Sequence, residues 1–119
     1  MKIAISSYDG KVNTPFSPRF GRCEYFVFVD SNTRNWEVKP NPAAEARGGA
    51  GAQVVQFLSN HQIDVTISGR YGPNAFTALE AAGIRGYVAV EGTPEELLEQ
   101  LLVGELQQVS SATSPGRHH

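Results

Sequence analysis

The stretch SPRFGRCEYF, residues 17 to 26, carries two arginines, a glycine and the only cysteine of the chain. Arg19 and Arg22 offer planar, permanently charged forks of donors, which suit oxyanions and sulfur-rich anions. Cys23 stands between Arg22 and Glu24. A neighbouring arginine can lower a thiol pKa, which would make Cys23 a thiolate ligand for a metal. A free cysteine at the start of a strand is also a common small core residue, so residue type leaves both readings open. Three further stretches share the theme: RGGAG (47–51), GRYGPN (69–74) and EGT (91–93). Their glycines let the backbone approach a ligand closely, and Arg47 and Arg70 add charge. The candidate anion-binding set is therefore Arg19, Gly21, Arg22, Cys23, Gly49, Gly51, Gly69, Gly72, Asn74, Gly92 and Thr93, with Cys23 the one candidate metal ligand. Taken one loop at a time, such glycines are better explained as turns, and such arginines as solvated side chains; only their convergence on one edge brings the two readings level.

Other chemistries lack their residues. Two-metal hydrolysis needs several carboxylates on one site. Asp9 lies beyond the first predicted strand, whereas Asp30 and Asp64 fall at the opposite end of the sheet. No Ser-His-Asp or Cys-His spacing supports nucleophilic catalysis. The glycines match neither G-x-x-x-x-G-K-[ST] nor G-x-G-x-x-G after strand 1. His61 falls on the apolar stripe of a predicted helix and reads as a structural histidine. The expectation is a protein without catalytic machinery.

The elements that would position these residues follow from periodicity. KIAISS (2–7) reads as a strand buried on both faces. A long loop, 8–22, follows. EYFVFVD (24–30) and NWEVK (35–39) form a hairpin around SNTR. From Ala50 the period becomes helical, with Val54, Phe57 and His61 on one stripe. IDVTIS (63–68) and IRGYVAV (84–90) read as strands. Between them Pro73 opens a helix that ends at Gly83. Thr93, Pro94 and Glu96 spell a capping box before the apolar face of Leu97, Leu98, Leu101 and Leu102. The order β-β-β-α-β-α-β-α predicts an α/β fold: a five-stranded mixed sheet, order 3-2-1-4-5, strand 2 antiparallel, with helices on both faces. Loops 8–22, 69–74 and 91–93, with the glycine loop 47–51, then meet at the strand tops. That is where open α/β sheets bind ligands, and three helix N-termini would bring partial positive charge and free N–H donors there.

Composition narrows the class. The 119 residues suit one domain, placed at 1–107, with 108–119 a flexible tail. A net charge of −2 argues against a nucleic-acid surface. No apolar run approaches the roughly 18 residues of a membrane span, and a strand starting at Lys2 leaves no room for a signal peptide. A single cysteine favours a reducing cytoplasm. His118 and His119 are read either as native or as the remnant of a tag.

Several motifs together resemble one family. MKIAISSYDG, RFGRCEYFVFVD, NPAAEARGGAGAQVVQFL, ISGRYGPNAFTALEAAGI and GTPEELLEQLLVGEL are similar, in order, to the dinitrogenase iron–molybdenum cofactor biosynthesis family over about residues 1 to 107. That group includes nitrogenase cofactor carriers and accessory proteins and the orange molybdenum–copper protein. The resemblance implies a ribonuclease H-like three-layer fold without nuclease function. It implies a small cytoplasmic carrier for an anionic metal–sulfur cluster, of the iron–molybdenum or molybdenum–copper sulfide kind, that can also be isolated without its cargo. Many members have histidine before FGR. Arg19 stands there in this chain, which leaves charge pairing, backbone donors and Cys23. The chain looks like the stand-alone form, a monomer or weak dimer. The alternative is a regulatory or interaction module that meets a cofactor-assembly or ATPase protein and holds no cluster. The exposed hairpin edge, NWEVK, offers a place for another chain to pair.

Overall fold

A computed structural model describes residues 1–110; the expected tail beyond Ser110, with His118 and His119, lies outside the described residues. Strand β1 (Lys2–Ser7) pairs antiparallel with β2 (Tyr25–Asp30), which pairs antiparallel with β3 (Trp36–Pro40). On its other side β1 pairs parallel with β4 (Val65–Ser68), and β4 pairs parallel with β5 (Arg85–Val88). Helices α1 (Ala50–Asn60), α2 (Pro73–Ala82) and α3 (Pro94–Leu102) make the connections.

The expected order 3-2-1-4-5 is present, but the sheet has six strands, β3-β2-β1-β4-β5-β6. The sixth, β6 (Gln107–Gln108), runs antiparallel to β5. Two exposed glutamines carry no alternation to announce a strand. It is held instead by its neighbours: Leu106 and Val109 pack on opposite faces of the sheet, and the Val109 amide donates to the Gly86 carbonyl at 2.8 Å. Gln108 and Val109, placed beyond the end of the expected domain at residue 107, are thus bonded to the edge of β5.

Alternation in the central strands divides the core in two. Ala4, Phe26 and Phe28 face α1 and α2, where they meet Val54, Val55, Leu58, Ala75 and Leu79. Ile3, Ile5, Val27, Val29, Val65 and Ile67 face α3 and meet Leu97 and Leu98. Phe20 and Tyr71, both fully buried, close the top of the first layer with ring centroids 4.9 Å apart. The Tyr71 hydroxyl donates to the Tyr87 carbonyl at 2.8 Å, satisfying its one polar atom inside the core. His61 follows the last turn of α1 and packs edge-on against Phe28 and Phe57, in keeping with a structural role.

Candidate functional site

Loop 8–22 does not hang over the strand tops as an open flap. It is tied across them. The Ser17 amide donates to the Ser6 carbonyl at 3.0 Å, and Ser6 Oγ donates back to the Ser17 carbonyl at 2.5 Å. The Phe16 amide donates to the Gly92 carbonyl at 3.0 Å, and the Arg70 amide to the Pro18 carbonyl at 2.9 Å. Arg19 and Arg70 form a short parallel bridge. Phe16, Ser17 and Phe20 anchor this crossing by burial, while Arg19 and Arg70 are exposed along it.

The crossing splits the expected single rim into two cavities. One, about 670 Å³, lies toward α3 and is lined by Tyr8, Pro15, Phe16, Pro18, Val90, Glu91, Gly92, Thr93, Glu96 and Gln100. The other, about 270 Å³, lies between the starts of α1 and α2 and is lined by Phe20, Gly21, Arg22, Ala50, Gly51, Gly72, Pro73, Asn74 and Ala75. Gly21, Arg22, Gly51, Gly72 and Asn74 of the candidate set thus come together. Gly92 and Thr93 join the other cavity, and Arg19, Cys23, Gly49 and Gly69 line neither.

The helix N-termini differ as much as the cavities. Gly49 caps α1 and Gly72 caps α2; neither has a side-chain cap, and neither helix has an acidic residue in its first turn. The first N–H groups of both helices have no partner within the helix and retain their partial positive charge. Arg22 reaches across to the loop before α1, where its Nη1 donates to the Ala46 carbonyl. The α3 terminus is closed. Thr93 Oγ1 accepts from the Glu96 amide at 3.2 Å, and Glu96 Oε1 accepts from the Thr93 amide at 2.9 Å. Glu95 and Glu96 add negative charge in its first turn. The expectation that all three termini would offer positive charge is corrected here, because the capping box takes the Thr93 and Glu96 amides and the Val12 carbonyl takes the Glu95 amide at 3.1 Å.

Two glycines of the set have a packing reason to be glycine. A Cβ on Gly69 would come 2.9 Å from the Pro18 Cα, so Gly69 is what lets loop 8–22 lie down on β4. A Cβ on Gly51 would come 2.9 Å from the Ala75 Cβ, so Gly51 lets α1 and α2 approach. That close approach is what sets the two uncapped termini side by side. At Gly49, φ is +69°, the left-handed region that favours glycine.

Cys23 is 2% exposed, in the layer beneath the rim. Its Sγ donates to the Phe20 carbonyl at 3.6 Å, and Asn41 Nδ2 approaches it at 3.8 Å. Burial pushes its pKa up to about 12, outweighing the hydrogen bonds that favour the thiolate. Of the two readings left open for Cys23, burial favours the small core residue with a protonated thiol, and the Arg22 guanidinium is engaged at Ala46 rather than at the sulfur. Among the described residues no three His, Cys, Asp or Glu side chains gather to hold a metal ion. Asp64 accepts from the Lys2 amide, and Asp30 from the Asn32 amide, at the sheet end away from the rim. Asp9 is engaged by the Lys11 amide and the Thr14 hydroxyl, which lower its pKa. The contribution of Asn41, which holds Cys23 and Gly21 through their carbonyls, escaped the reading of the sequence; its only signal is an asparagine flanked by prolines.

Comparison with known proteins agrees with this architecture. The chain matches the apo form of the orange protein from Desulfovibrio gigas with a TM-score of 0.91 and 32% identity, over 95% of this chain and 96% of that one. It matches a protein of Thermotoga described as NifB with a TM-score of 0.83 and 35% identity, over 97% and 98% of the two chains. An uncharacterised protein of Methanocaldococcus jannaschii is 29% identical over 111 residues, 91% of each chain. The family profile described as dinitrogenase iron-molybdenum cofactor matches residues 1–104. With that match and full-length relatives above 30% identity, the chain belongs to the dinitrogenase iron–molybdenum cofactor family.

Proposed function

We propose that this protein is a non-catalytic carrier for an anionic metal–sulfur cluster or its precursor, held between the starts of α1 and α2. The carrying observation is the pair of uncapped helix N-termini that share one cavity with Gly21, Arg22 and Asn74. A cluster that brings its own sulfides needs no ring of protein ligands. It needs hydrogen-bond donors and positive charge, and this cavity offers backbone N–H groups, an amide side chain and a guanidinium. Arg19, Arg70 and Arg47 would add long-range attraction from the exposed edge of the same region. Cys23 becomes a ligand only if the loop opens and the thiol is desheltered, so anion pairing is the primary mode. We read the three-layer arrangement as ribonuclease H-like with its carboxylates dispersed, and the carrier as acting in a reducing cytoplasm, where a sulfide-rich cargo survives.

The test is reconstitution of the apo protein with tetrathiomolybdate and copper(I) under anaerobic conditions. A charge-transfer band in the visible and a raised melting temperature are expected, because a ligand that binds only the folded state stabilises it. Arg22→Ala is expected to lose both, with the melting temperature of the apo form little changed. No band and no thermal shift in the native protein, with any thiometallate offered, would sink the proposal.

A further inference from the structure

The sheet ends on one side at β3, and among the described residues no backbone hydrogen bond joins the outer edge of β3 to any loop. Free strand edges are templates for pairing, and charged side chains or a proline are common ways to blunt them; β3 ends in Pro40, so what pairs there is the stretch before it. Here the edge carries one charge of each sign. Glu37 lies opposite Phe28, on the α1 and α2 face, and Lys39 lies opposite Phe26 on that same face. Trp36 and Val38 lie on the α3 face, where Val38 is 51% exposed although it sits opposite the buried Val27.

We propose that β3 pairs with β3 of a second copy of this chain, antiparallel, about a two-fold axis through Val38. In that register Glu37 of each copy faces Lys39 of the other, twice, and the two exposed valines cover each other. A two-fold axis normal to the sheet keeps matching faces together, so the neighbouring registers are shifted by two residues. They set Glu37 against Glu37 or Lys39 against Lys39, and like charges directly opposed in a sheet repel. One register is thus selected by charge. The same axis reverses the strand direction, so the two rims would open at opposite ends of a continuous sheet, and neither would block the other.

Sedimentation velocity over a concentration series, at low salt, tests this. The native chain is expected to dimerise with rising concentration and to weaken as salt is added. Glu37→Lys and Lys39→Glu each turn two attractive pairs into repulsive ones, and each is expected to lower the association constant about tenfold or more. A mixture of equal parts of the two variants pairs Lys with Glu again and is expected to recover native-like dimer, as is the double exchange Glu37→Lys/Lys39→Glu. Both residues are on the surface of an edge strand, so circular dichroism of each variant is expected to match the native chain. A native chain that stays monomeric at every concentration overturns the proposal. So do single variants that dimerise like the native chain, or a mixture that fails to recover.

Discussion

The two sides of the rim are built from the same parts: a β-strand top, a glycine-bearing loop and the start of a helix. On the α3 side Thr93 and Glu96 take up each other's amides, the Val12 carbonyl takes the Glu95 amide, and Pro94 has none to offer. On the α1 and α2 side the cap positions are Gly49 and Gly72, which have no side chain to give. A well-capped helix contributes stability, and an uncapped one keeps its donors for something else. The larger cavity, at about 670 Å³, is thus the one with carboxylates and a sealed helix end. The smaller, at about 270 Å³, has the features that attract an anion. Cavity size and binding chemistry point in opposite directions here, and charge decides between them because the proposed cargo is an anion.

That contrast can be broken or sharpened by substitution. The largest effect is expected at the anchor of the crossing loop that separates the two sides. Phe20 is 1% exposed and touches the rings of Phe26 and Tyr71, so Phe20→Ala is expected to cost about 3–5 kcal/mol in urea unfolding and to disturb both cavities. An intact rim in that variant would show that the crossing holds by its backbone bonds alone. Thr93→Ala comes next. It is expected to cost about 1 kcal/mol by loss of the cap, with cluster reconstitution unchanged. If reconstitution fails instead, the cargo belongs on the α3 side.

Gly72→Asp makes the opposite change. Gly72 has extended backbone angles suited to an N-cap, and a Cβ there would meet open space. The variant is expected to gain a few tenths of a kcal/mol from the new cap, yet to lose reconstitution, since its carboxylate would sit among the donors. A gain in stability with binding retained would remove α2 from the site. The smallest effect at neutral pH concerns Cys23. Its pKa is raised from 9.0 to about 12, so the unfolded chain loses the thiol proton first as pH rises. Stability from this group is therefore full below pH 9.0 and falls progressively between 9.0 and about 12. Cys23→Ser is expected to flatten that alkaline decline in a melting series. Native Cys23 is also expected to react with a thiol reagent at neutral pH only as fast as the loop opens; fast labelling would restore it as an accessible ligand.

Much of the layout is legible in the sequence. The aromatic and β-branched run Tyr25–Asp30 and the apolar β1 read as strands, and β1 as one buried on both faces, which is how they lie between the two layers of the core. The Thr93–Glu96 box is a local interaction between residues three apart, and it appears where the spelling places it. Less legible was what happens when loops meet. Arg22 beside Cys23 in the chain suggested a thiolate, but the Arg22 side chain turns to Ala46 and Cys23 turns inward. Nor did β6 have a pattern of its own, since its two glutamines are strand only because β5 offers an edge.

What the sequence determined by itself is therefore the first five strands, the three helices, their order along the chain and the Thr93–Glu96 capping box of α3, because each rests on patterns and interactions within a few residues. The tertiary structure alone decided that the rim divides in two. That division depends on Gly69 meeting Pro18, Gly51 meeting Ala75 and the Phe16 amide meeting Gly92, contacts between segments tens of residues apart. Whether an N-terminus is free, a thiol is charged or an arginine is available depends on what the fold brings against it, and burial and distance are properties of the assembled chain.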